Sequence, residues 1–163
     1  EHPARLPGLG LLMADAPIRW AAAKHLADLF AGRAELDGCQ VEVGFPGELK
    51  VKGAEYLYLD EIDTAEITEP NMMAGPLDQD DIFELRWVIR VANRQTIDAA
   101  MLRACEIDAG IHAIVTGDHT LGDLDGVVSA EITERKQLVA NTADGPIGHG
   151  LTVVRIHSRI SPN

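Results

Sequence analysis

The stretch Ile82–Ala92 constrains this chain more than any other. Phe83, Leu85, Trp87, Ile89 and Val91 alternate with Glu84, Arg86 and Arg90. Strict period two over that length requires a long strand of an antiparallel sheet, with one buried face and one wet face. Burying each of the larger side chains is worth about 1.5–3 kcal/mol. The rest of the chain must therefore cover one face of a sheet, and Trp87→Asp should unfold the protein. At 163 residues the chain is the size of one domain, and folding can hide roughly 70% of its unfolded surface. Hydrophobic residues at 46% and charged residues at 25% exclude disorder of the whole chain.

Two helices are predicted as the cover. Asp15-Ala16-Pro17 reads as a helix entry, with proline where its missing N–H costs little. Ile18, Ala22, Leu26, Leu29 and Phe30 follow at helical spacing, and Gly32 suits the exit. Thr96 is an N-cap for a second helix, in which Ile97, Met101, Ala104, Cys105, Ile111 and Val115 form the stripe up to Gly117. Further strands are predicted at Val41–Phe45 and Glu55–Ile62, and at Val127–Ala140 with Val128, Ala130, Ile132 and Leu138 on one face. The last is Leu151–Ile160, after a loop at Asn141–Gly150. The expected fold is α+β: an antiparallel sheet of about five strands with two helices on one face, in the order α-β-β-β-α-β-β. Residues 1–12, rich in proline and glycine, are expected to be a flexible or non-native arm, with Met13 as the natural start. A signal peptide fits them poorly, because Gly10 breaks a short apolar core.

The balance of 14 Lys+Arg against 26 Asp+Glu gives a net charge of −12. Such a chain is repelled by phosphates, which argues against nucleic-acid binding through a basic face. No apolar run approaches the roughly 18 residues of a spanning helix, and no membrane partner is expected. Two cysteines make no disulfide scaffold. The acidity is uneven. Between Lys52 and Arg86 there is no basic residue, yet ten acidic ones run from Glu55 to Glu84. Residues 63–81 show no period and read as a long acidic loop, which usually means function or a partner. Glu66, Glu69, Met72, Met73, Asp78, Asp80 and Asp81 are the candidate interface residues, since methionine adapts to irregular contacts.

Catalytic and cofactor sites are not expected. Asp60, Glu61 and Asp63 are hard oxygen ligands for Mg²⁺, but on a strand Asp60 points away from the other two. Asp123–Gly126 resembles part of a calcium loop, yet the alignment places Leu121 and Ile132 at its end positions. His149 lies near the last strand and His157 on its cationic face, while His25 and His112 sit beside helical stripes. Cys39 and Cys105 have neither an adjacent histidine nor a CxxC partner. Gly148-His149-Gly150 is too short for a phosphate cradle, and no nucleotide or hydrolase motif occurs.

In its order of elements the chain resembles the tail terminators of long-tailed, non-contractile phages, the lambda-like siphophages. The resemblance rests on ELDGCQVEVGFPG at Glu35–Gly47, EYLYLDEI at Glu55–Ile62 and DIFELRWVIRVAN at Asp81–Asn93. A threonine-initiated, alanine-rich helix and the turn Thr120-Leu121-Gly122 complete it. It covers roughly residues 14–161, and the acidic stretch 63–81 departs from the compact hairpin of that family. The resemblance implies that residues 13–163 form one tail-terminator-like domain with no enzymatic activity and no cofactor. It implies a hexameric ring at the tail–neck junction of a virion, assembled in the host cytoplasm. The ring stops tail-tube polymerisation and meets the tail-tube protein and a head-completion or connector protein, while DNA passes through without specific binding. A head–tail connector or tail-tube subunit, and a small metal-dependent hydrolase using Asp60, Glu61 or Asp63, are the competing expectations.

Overall fold

A computed structural model describes residues 9–44, 54–67, 79–143 and 145–160. Helix α1 (Leu9–Ala31) is followed by a short 3-10 turn (Ala34–Leu36) and strands β1 (Gln40–Val43), β2 (Glu55–Ile67) and β3 (Gln79–Val91). Helix α2 (Ile97–Gly117) and strands β4 (Val127–Thr142) and β5 (Gly145–Ile160) complete the chain. The five strands form one sheet in the order β1-β2-β3-β5-β4. Fold class and element order are those the periodicities predict.

The alternating strand is the spine. Phe83, Leu85, Trp87, Ile89 and Val91 are fully buried. Both helices pack on that face, α1 through Ala22, Ala23, Leu26 and Phe30, and α2 through Ala104, Ile107 and Ile111. Phe30 meets Trp87 edge to face at 5.1 Å, an arrangement aromatic quadrupoles favour. Thr96 caps α2 by accepting a hydrogen bond from the Ala99 N–H at 3.1 Å, satisfying one orphan donor of the first turn.

Four expectations are corrected. The sheet is mixed, because β1 runs parallel to β2. The chain between Val43 and Glu55 is long enough for a crossover, so period-2 patterning alone did not fix direction. Helix α1 begins at Leu9, not near Pro17, so the apolar stretch after residue 8 continues the helix and Pro17 forgoes one helical hydrogen bond. Strands β2 and β3 run into the presumed loop as far as Ile67 and back from Gln79. Likewise β4 runs to Thr142 and β5 starts at Gly145, so most of the expected Asn141–Gly150 loop is paired strand.

The face assignment of β4 also changes. Its register with β5 slips between Ile132 and Glu134. A bulge inserts one residue and reverses the alternation beyond it. Arg135 thereby turns toward α2, and Leu138, predicted beside Ala130, is 61% exposed.

Candidate assembly surface

The ends of β2 and β3, where the described residues stop at Ile67 and resume at Gln79, are tied to helix α1 by a network of side chains. Arg19 of α1 donates from Nε to Asp81 Oδ2 at 2.9 Å and from Nη2 to Oδ1 at 2.7 Å. Its Nη1 donates to Thr64 Oγ1 at 2.8 Å, and the guanidinium lies 5.3 Å from the Phe83 ring centre. Ser158 Oγ donates to the Asp81 carbonyl at 3.0 Å. Asp81 has no exposed surface, so it is turned inward and presents nothing to a partner of the single chain. Next to it Asp80 faces the other side of the sheet. There it accepts from Arg159 Nε at 2.8 Å and lies 3.3 Å from His157 Nε2. The Arg159 hydrogen bond, aided by His157, holds the Asp80 carboxyl below the usual carboxylate range.

Of the other candidate interface residues, Glu66 lies at the end of strand β2, and Glu69, Met72, Met73 and Asp78 fall outside the described residues. Asp80 and Asp81 were expected together and are separated by the alternation of β3, one wet and one buried. Arg19 was missed altogether. An arginine on an apolar helical stripe is the signal that could have found it.

The sheet face away from the helices carries a ladder of alternating charge. Arg155 Nη2 lies 2.8 Å from Glu84, and Arg86 lies 3.8 Å from Glu61. Arg90 donates to the Tyr56 hydroxyl at 2.7 Å, and Lys136 meets Glu134 at 2.6 Å. The basic row expected on the closing strand is thus neutralised by acids of β3. Two further hubs, both unforeseen, fix α2. Glu55 binds Arg103 and Arg94, each at 2.7 Å. Asp108, nearly buried, binds Arg135 and accepts from Thr152 Oγ1 at 2.7 Å. Each is a charge-assisted network in which the buried carboxylate is satisfied.

None of these groups forms a reactive constellation. The Asp63 carboxyl crowds Glu61 and raises its pKa, while Asp60 is the extra residue at a register slip. Among the described residues no three His, Cys, Asp or Glu side chains gather as a metal site. The segment resembling a calcium loop follows a turn in which Asp118 accepts from the N–H groups of Thr120 and Gly122, and its own Asp123 N–H donates to Thr120 Oγ1. Burial, then Arg90, pushes the His149 imidazole down. Burial, reinforced by Glu55, pushes the Cys39 thiol up to about 12, the opposite of what a nucleophile needs. Gly148 and Gly150 are strand residues that admit neighbours. A Cβ at Gly148 would come within 2.5 Å of the Ala100 carbonyl oxygen.

Exposed apolar side chains remain. Trp20, 50% exposed, borders a groove of about 230 Å³ lined also by Val43, Leu59 and Ile62. Leu138 and Val139, 61% and 62% exposed, stand on β4 at the edge of the sheet.

The chain matches no protein-family model and no curated protein. Among solved structures it is similar to a chain described as "Virion of native gene transfer agent (GTA) particle", with a TM-score of 0.56. The match covers 86% of this chain and 97% of that one, at 15% sequence identity. At that identity the likeness shows a shared fold.

Proposed function

We propose that this chain is a structural subunit of a virion, and more narrowly a tail terminator of a long-tailed, non-contractile phage or phage-like particle. In this role it forms a hexameric ring on the tail tube, stops polymerisation and joins the tail to head-completion proteins. The observation that carries the reading is a fold shared over nearly the whole length of a chain from a virion particle. The element-by-element resemblance to siphophage tail terminators supports the narrower role. The site chemistry agrees with it, since the charged groups described are spent on holding helices to strands and strands to each other. A net charge of −12 suits a conduit, which should not retain the DNA that slides through it.

The acidic stretch between Ile67 and Gln79 is proposed to contact a neighbouring subunit or the tail-tube ring. The strands that flank it are tied together by Arg19 through Thr64 and Asp81, which suits a contact that must be aimed. Deleting Glu69–Pro76 should leave the monomer folded and abolish ring formation or capping; undiminished capping would remove this role.

Native mass and electron micrographs of the purified protein, with and without tail tubes, test the main proposal. Single closed rings that end tubes are expected. Stacked rings growing into tubes would reassign the chain as a tail-tube subunit. A monomer that stays monomeric and ignores tubes would overturn the reading.

A further inference from the structure

The two edges of the sheet are unlike each other. Strand β1 is short, and among the described residues nothing pairs with its outer side. Strand β4 is long, and beyond Glu134 it pairs with β5 without a further slip to Thr142. Long, regular edges invite pairing, and monomers usually blunt them with bulges, proline or charge. Both register slips of β4 lie before Arg135, and Arg135–Thr142 contains no proline. Leu138 and Val139, adjacent and therefore on opposite faces, are both open to solvent. That stretch carries two basic residues and no acidic one, in a chain of net charge −12.

Strand directions say what can meet this edge. β4 is antiparallel to β5, β5 to β3 and β3 to β2, whereas β1 is parallel to β2. Hence β1 and β4 run in opposite directions. A second copy placed alongside by rotation about an axis parallel to the strands brings its β1 antiparallel to β4, the more stable pairing. The faces also correspond. Gln40 and Glu42 pair with Tyr56 and Tyr58 on the ladder face, as Lys136 and Leu138 pair with Leu151 and His149. Lys136 thus comes beside the only charged residue of β1, Glu42, and Val139 comes to the side of Val41 and Val43.

The geometry points to an interface in which the Arg135–Thr142 edge of β4 receives β1 (Gln40–Val43) of a second copy. Such a contact is head-to-tail, and repeated by rotation it closes a ring. The inference rests on the ring proposed above and names the contact that builds it.

The test uses full chains in a Cys39→Ala, Cys105→Ala background. Glu42→Cys is combined with Lys136→Cys in one variant and with Leu138→Cys in another. Antiparallel partners lie about 4.5–5.5 Å apart, within disulfide reach. Under mild oxidation at least one combination should give a ladder from dimer upward on a denaturing gel, and each single cysteine should give none. Dimers from Lys136→Cys or Leu138→Cys alone would overturn the pairing in favour of a two-fold β4–β4 contact. Closed rings without any cross-link overturn the β1–β4 contact and leave the ring standing. A ladder without closed particles upholds the contact and overturns the ring, and neither ladder nor rings overturns both. As a check independent of cysteine, Lys136→Glu and Glu42→Lys should each lose assembly, and the double exchange should restore it. Independent loss without restoration counts against the pairing.

Discussion

Arg19 crosses from a helix to the start of β3 to meet a carboxylate that water does not reach. Removing one partner of such a pair leaves an uncompensated buried charge, which costs about 3–5 kcal/mol. Arg19→Ala should therefore lower the unfolding free energy by about 3 kcal/mol in a urea titration. A loss well under 1 kcal/mol would mean that water screens Asp81. Cys39 gives a pH signature. Its thiol is raised to about 12 in the fold, against about 8.5 in an unfolded chain. The stability held by the neutral thiol is complete below the unfolded value and is lost as pH rises through the folded one. Unfolding midpoints should fall between about pH 9 and 12, and less steeply in Cys39→Ala. At pH 8 its thiolate fraction is smaller than that of a free thiol by on the order of a thousandfold. Alkylation of Cys39 should be correspondingly slow until the protein unfolds.

Among the elements, α2 sits closest to the sheet, and Gly148 sets the approach. Its virtual Cβ meets backbone atoms of Ala100, at 2.5 Å from the oxygen and 2.8 Å from the carbon. Backbone cannot swing aside as a side chain can, so Gly148→Ala must push the helix outward. Overpacking of this kind typically costs about 1–3 kcal/mol, readable as a lower thermal midpoint. His149→Ala, only partly buried and beside it, serves as the control and should change stability little. The helix boundaries show which local signals are reliable. Thr96 caps α2 and the helix ends at Gly117, both where the sequence predicts, whereas α1 runs through Pro17, since one proline does not end a helix already committed on both sides. β4 shows the reverse weakness, because a single bulge inverted the alternation that assigned Leu138 to the core.

For the whole molecule, a chain carrying −12 should not hold DNA, whether alone or in the proposed ring. Mobility-shift experiments at about 20 mM salt, where counterion release favours binding most, should show no retained duplex. Retention would call for a basic lumen that the sheet does not display, since Arg86, Arg155 and Arg159 are engaged by Glu61, Glu84 and Asp80 and Arg90 donates to Tyr56. Much of this was written in the sequence. Alternation in Ile82–Ala92, the cap at Thr96 and the turn formers determined the α+β class, the element order and the buried face of β3. These are local properties, repeated every two or 3.6 residues, and a single chain segment suffices to read them. The tertiary structure alone decided the parallel seating of β1, the slip in β4 and the joining of Arg19 to Asp81, Arg103 to Glu55 and Arg135 to Asp108. Each depends on residues far apart in the chain, and a desolvated charge is held by whichever partner the packed elements bring within reach, which no local period encodes.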